Sequence, residues 1–223
     1  MFDWRWDFTF EIMPRLLEAT LNTLLAAGIG YGIALVVGLA FTLAQRTPLR
    51  PLTMGVREFV EFIRSTPLVL QIFFVFYVGP QFGIRLSPWV SGMIAIGLHY
   101  SAYLSEVYRG GLEAVPRGQW EASKALNLSV SRTYSRIILP QALPAALPGM
   151  GNYLIGIFKD TPMLSVIGVA ELMHTANALG SETYRFLEPY TMVGVIFLAI
   201  SLPTAAGLRV FEAWVRRALG MSR

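Results

Sequence analysis

Residues 21–44 read LNTLLAAGIGYGIALVVGLAFTLA, a run of 24 without a charged side chain. At about 1.5 Å of rise per residue, such a run crosses the ~30 Å hydrocarbon core of a bilayer with length left for tilt. Inside it Ala26, Gly30, Ala34 and Gly38 recur every fourth residue, a small-residue stripe that lets a second helix approach closely. A cleaved signal peptide is the competing reading. The preceding segment argues against it, because Asp3, Asp7, Glu11 and Glu18 outnumber Arg5 and Arg15 where a signal peptide requires net positive charge.

The rest of the chain has the same character. Its 223 residues are 54% hydrophobic and only 14% charged, with a mean hydropathy of +0.53; soluble domains are nearer a quarter charged. Spans of about 20 residues fill most of this length, which leaves no room for a large extramembrane domain. There is no cysteine, so disulfides and thiolate metal sites are excluded. The basic balance, 18 Lys and Arg against 14 Asp and Glu, is expected to reflect membrane orientation and not nucleic acid.

Pro48 and Pro51 close the first span. A second is expected over about 59–78, with Pro67 kinking or breaking it after the polar entrance Arg57, Glu58, Glu61 and Arg64. The third covers about 89–108, the fourth is an irregular crossing over 141–173 with Lys159 and Asp160 near its middle, and the last covers 190–208. The expected fold is therefore all-α, a single polytopic domain over 1–223. Segments 46–58, 109–140 and 209–223 hold three, five and four Lys or Arg, against four in the N-terminal segment and the other loops. By the positive-inside rule, five spans then put the N-terminus outside and the C-terminus and the 109–140 loop in the cytoplasm.

That loop contains Glu121-Ala-Ser-Lys-Ala-Leu-Asn127 and Ile137-Ile-Leu-Pro140. Gln119 to Leu126 favours helix, Asn127 tolerates a left-handed turn, and Ser131 to Leu139 suits a second short helix. The spacing resembles the Glu-Ala-Ala loop of bacterial ABC-importer permeases. Glu121, Ala122, Ile137, Leu139 and Pro140 match it, Ser123 replaces its second alanine, and Asn127 replaces its glycine. Arg64-Ser-Thr-Pro-Leu, Ala102 to Gly110, Val115 to Gln119 and Phe158 to Gly168 are similar to segments of the polar amino acid permeases, and within that family most similar to ectoine and hydroxyectoine permeases. The resemblance implies a type I importer permease fold in the bacterial inner membrane. It also implies ATPase subunits, a second permease chain, identical or paralogous, and a periplasmic solute-binding protein as partners, with no nucleic acid. The loop would be the coupling helix, with Glu121, Ala122, Ser123, Asn127 and Pro140 at the ATPase contact.

The chain carries no Gly-rich loop ending in Gly-Lys-Ser/Thr, so ATP and magnesium belong to the partner ATPase and no cofactor of its own is expected. No hydrolase or zinc-protease motif is present. Ionisable groups inside a membrane point to a pathway or a pair. The expected substrate path is Tyr103, Glu106, Lys159, Asp160 and Thr161, with Glu106 and Asp160 holding the cationic part of a polar amino acid or a zwitterion such as ectoine. The structural alternative pairs Glu106 with Arg109 and lets Lys159 and Asp160 neutralise neighbours. Glu61 and Arg64 are spaced as an ion pair, His99 reads as a hydrogen-bonded packing residue, and Trp89, Tyr100, Tyr103 and Tyr108 read first as interfacial anchors, with stacking on a cation as the alternative. The rival function is a self-sufficient secondary transporter or channel, which lacks support because no inverted repeat is visible.

Overall fold

The computed structural model describes residues 3–218. Among them there is no strand: the chain is a bundle of nine α-helices joined by short turns. α1 (Trp6–Ala44), α2 (Arg50–Ser65) and α3 (Leu68–Phe73) come first, α3 running on through a π-helical segment (Phe74–Val78) and a 3₁₀ turn (Gly79–Phe82). α4 (Pro88–Glu113), α5 (Arg117–Ala125) and α6 (Val130–Thr133) follow. A π-helical segment (Tyr134–Ile138) feeds α7 (Leu139–Asp160), and a 3₁₀ turn (Thr161–Ile167) separates it from α8 (Leu172–Thr183) and α9 (Leu187–Ala218).

The small-residue stripe of α1 is the axis of the molecule. Ala26, Gly30, Ala34 and Gly38 are all buried against α4, which packs on α7 in turn. A β-carbon at Gly38 would lie 2.9 Å from the Ser101 carbonyl oxygen, so the two backbones meet here at a distance only glycine permits. The Thr42 hydroxyl adds a bond across the same seam, 3.1 Å from the Ser105 carbonyl. On the opposite side Leu21, Leu25, Val36 and Leu39 are exposed, the apolar exterior expected of a helix in lipid.

Three boundaries differ from the sequence reading, for identifiable reasons. α1 starts at Trp6, not near residue 21. Residues 6–20 hold Phe8, Ile12, Leu16 and Ala19 on one face, and these bury against Leu172, Ala176, Leu179, Val193 and Ile196 of α8 and α9. Asp7, Glu11 and Glu18 of the same stretch are exposed. α8, expected as connector, is a helix whose first turn is capped by Glu171: the carboxylate accepts from the backbone N–H of Met173 at 3.0 Å and His174 at 2.6 Å. α7 is continuous through Lys159 despite Pro144 and Pro148, so the irregular part of the fourth segment falls at 161–171, beyond the charged pair.

Pro67 breaks the second segment outright. α2 and the Leu68–Phe82 segment are bent by 108°. Two helices, α1 and α9, are each long and apolar enough to cross a membrane, and counting each of the two bent pairs as one span gives up to four. α4 spans 26 residues, and its His99, Tyr100 and Tyr103 line a cavity against α7.

A clamp closes the end of the bundle where α1 begins. The guanidinium of Arg185 pairs with Glu188 and reaches the Asp3 carbonyl at 2.5 Å, while Glu188 accepts from the Arg5 backbone N–H at 3.2 Å. Arg15 and Glu182 pair at 3.0 Å nearby. The turn before α9 is thus tied to a segment some 180 residues earlier.

Candidate solute cavity and the loop between α4 and α7

α4 and α7 pack so that one face of each lines a cavity of about 530 Å³, open on one side. α4 contributes His99, Tyr100, Tyr103 and Val107, and α7 contributes Gly149, Asn152, Tyr153, Gly156 and Asp160. The helical period accounts for this: residues three or four apart share a face. Gly156 makes the room, since a β-carbon there would lie 3.1 Å from the Tyr100 hydroxyl.

Three tyrosine rings gather on the wall, with centroids 5.5 Å apart for Tyr103 and Tyr153, 5.9 Å for Tyr100 and Tyr153, and 6.2 Å for Tyr100 and Tyr103. The Tyr100 hydroxyl donates to Asp160 Oδ2 at 2.7 Å. Asp160 is the last residue of α7, where the negative end of the helix dipole adds to its own charge. A carboxylate, a helix C-terminus and π faces all favour a cation.

The second polar cavity, about 400 Å³, lies between α2 and the C-terminal end of α4, lined by Arg57, Glu61, Arg64, Glu106, Arg109 and Glu113 among others. Glu106 pairs with Arg109 and lies 3.9 Å from Arg64, which also pairs with Glu61 at 3.4 Å. The two cavities adjoin where Tyr103 of the first meets Arg64 of the second. The Tyr103 hydroxyl donates to the Arg64 carbonyl at 3.3 Å, and the Arg64 guanidinium sits over the Tyr103 ring at 5.6 Å.

The loop between α4 and α7 is a compact two-helix knob. Asn127 has φ 49°, with its N–H bonded to the Lys124 carbonyl at 2.9 Å and the Leu128 N–H to the Ser123 carbonyl at 3.0 Å. That pair of bonds is the Schellman ending of a helix, with asparagine at the left-handed position. The knob is fixed to the bundle by Leu112, Val115, Ile138 and Ala142, with Trp120 and Tyr134 packed against them edge to face at 5.5 Å. Its outer surface exposes Glu121, Ala122, Leu126 and Val130, the last two 71% and 75% exposed.

Residues 30–217 match the family described as the inner membrane component of binding-protein-dependent transport systems. The chain belongs to this family. It is 40% identical over 219 residues to a probable amino-acid ABC transporter permease of Sinorhizobium fredii, covering 95% of each. It is 32% identical over 204 residues to a probable glutamine ABC transporter permease of Bacillus subtilis, covering 91% of this chain and 94% of that one. Its fold superposes with a TM-score of 0.89 and 29% identity on a crystal structure of an amino acid ABC transporter with histidines, covering 95% and 99%. The protein is the permease subunit of an amino acid ABC importer, and the ATPase is a separate subunit.

Of the residues read as the substrate path, the permease brings Tyr103 and Asp160 together on one cavity wall. Glu106 faces the other cavity. Lys159 is exposed and Thr161 fully buried, its hydroxyl donating to the Phe158 carbonyl at 2.8 Å; neither lines the Asp160 cavity. In the loop Ser123 is buried, donating to the Gln119 carbonyl at 2.7 Å, and Pro140 is half-buried at the start of α7. Asn152, Tyr153 and Gly156 were not singled out from sequence. Their spacing on α7 with Asp160 is the signal that would have found them.

Proposed function

We propose that the permease passes a small polar amino acid or related zwitterion, ectoine being one, through the Asp160 cavity, with the carboxylate and the Tyr100, Tyr103 and Tyr153 rings receiving its cationic end. The single observation that carries this is the Tyr100–Asp160 hydrogen bond at the end of α7, inside an aromatic wall. Glu106 receives the cation next, exchanging it against Arg64 and Arg109, while Lys159 and Thr161 hold the α7 end in shape. Because the cavity is open on one side, a second permease chain closes it, and a binding protein outside delivers the solute.

The proposed topology has five crossings with the N-terminus outside, α4 being the third. Twelve Lys and Arg in segments 46–58, 109–140 and 209–223 support that orientation. The 109–140 knob then meets the ATPase, with Glu121 available to a partner arginine and Leu126 and Val130 as apolar contacts.

Uptake of labelled L-arginine, L-glutamine and ectoine by the reconstituted importer, with its ATPase and binding protein, tests this reading. Uptake should cease when ATP is depleted with ion gradients intact. Continued uptake on a gradient alone would restore the secondary-transporter reading.

A further inference from the structure

His99 lines the Asp160 cavity yet is only 8% exposed, and one of its ring nitrogens is already assigned by chemistry elsewhere. Pro67 has no N–H and ends α2, so carbonyls near the break lack helical donors. Gln71, one turn into the next helix, fills that gap: its Nε2 lies 2.8 Å from the Ile63 carbonyl, 3.2 Å from the Thr66 carbonyl and 2.7 Å from the Thr66 hydroxyl. Carbonyl oxygens only accept, so the amide nitrogen must face them and the amide oxygen must face the other way. That oxygen lies 3.2 Å from His99 Nδ1.

An amide oxygen also only accepts, so Nδ1 is the protonated nitrogen of the neutral ring and Nε2 holds the lone pair. Among the described residues Nδ1 alone is bonded to protein. The ring stands against Tyr103 at 5.1 Å and Tyr100 at 5.4 Å, on the wall whose carboxylate is Asp160.

We propose that His99 is a specificity-determining residue of the solute path: held as the Nδ1–H tautomer by Gln71, it accepts through Nε2 a hydrogen bond from an N–H of the solute's cationic end. The inference rests on the reading of the Asp160 cavity as the solute path. It narrows the solute class to zwitterions whose cation bears N–H, an ammonium, amidinium or guanidinium, and disfavours fully methylated ammonium groups, which have nothing to donate. Because Gln71 also closes the helix break, solute contact at His99 bears directly on the Pro67 bend.

Two measurements on the assembled importer test it. The chain has two histidines, so an importer assembled with imidazole-¹⁵N label in this chain alone gives two ring patterns, assigned with His99→Asn. The expected pattern for His99 is the Nδ1–H tautomer; a predominant Nε2–H tautomer overturns the proposal whatever the cavity does. In uptake of L-arginine, L-glutamine and ectoine, His99→Asn keeps a donor toward Gln71 but has nothing at the Nε2 place. It should lower the rate by about tenfold or more, the scale of one hydrogen bond to a charged group, while His99→Gln, which reaches that place, retains most of it. Wild-type uptake by His99→Asn with Asp160→Asn impaired overturns this proposal alone, whereas wild-type uptake by both variants overturns the cavity reading too. Where the wild-type importer takes up none of the three probes, or a variant does not assemble, the tautomer decides.

Discussion

The Tyr100 hydroxyl donates to the Asp160 carboxylate at 2.7 Å across the α4–α7 interface, sixty residues apart in sequence. The bond joins the central helix of the bundle to the last residue of a helix that ends in a 3₁₀ turn. It therefore orients the carboxylate from a rigid support while leaving Oδ1 available to a cation. A carboxylate within a membrane is costly without a partner, and the tyrosine supplies one neutral donor without cancelling its charge.

Asn127 occupies a left-handed position, at φ 49°, that favours glycine. Asn127→Gly should keep the knob and stabilise it by up to about 1 kcal/mol, and Asn127→Val should cost about 1–2 kcal/mol. Thermal unfolding of the purified permease checks both, and equal stability of the Gly and Val variants would contradict the turn assignment.

The α1–α4 seam predicts a steep size dependence at Gly38. Gly38→Val must displace the Ser101 carbonyl and the Leu104 side chain, at a cost of about 1–3 kcal/mol or more. Gly28→Val, on a face with nothing within 4 Å, should be nearly neutral. A lowered melting temperature for the first variant and not the second is the expected result.

The Arg185–Glu188 clamp gives stability a pH dependence at the acid side. Hydrogen bonding from Arg185 holds the Glu188 carboxyl below its ordinary value. A carboxyl lowered in the folded state stabilises above its unfolded pKa and stops doing so as the pH falls through the folded one. Melting temperature should therefore fall on acidification from neutral pH, and Glu188→Gln should flatten that limb. Arg185→Ala leaves a buried carboxylate unpaired, at the lower end of about 3–5 kcal/mol because Arg185 itself is partly exposed. Identical acid limbs in wild type and Glu188→Gln would refute the clamp.

Glu121→Arg reverses the charge on the exposed face of α5 without touching a buried contact. The variant should insert and fold normally while binding-protein-stimulated ATP hydrolysis falls by about tenfold or more, the scale of a lost charge-assisted contact. Stimulation at the wild-type level would remove Glu121 from the ATPase contact.

Local signals carried much of this architecture. The four-residue stripe of α1, the break at Pro67, the left-handed Asn127 and the Glu106–Arg109 and Glu61–Arg64 spacings each depend on neighbours within a turn or two, and each is found in the fold. What depended on distant partners was not legible. The apolar face of residues 6–20 has meaning only against α8 and α9, and α8 itself was masked by the charges around Glu182 and Arg185. Glu106 and Asp160 look alike as intramembrane carboxylates, yet one is turned to arginines and the other to tyrosines. That difference arises from helix rotation, which the sequence period does not state. His99 looked like a packing residue because its partner, Gln71, lies across a helix break.

Passage of solute by Asp160 is put to the test by the uptake rate of Asp160→Asn in the reconstituted importer. Asparagine keeps the size and the acceptor for Tyr100 and removes only the charge. Uptake of a cation-bearing solute should fall by about tenfold or more, the scale of one charged hydrogen bond, with assembly and thermal stability unchanged. Uptake at the wild-type rate by a fully assembled Asp160→Asn importer would contradict it.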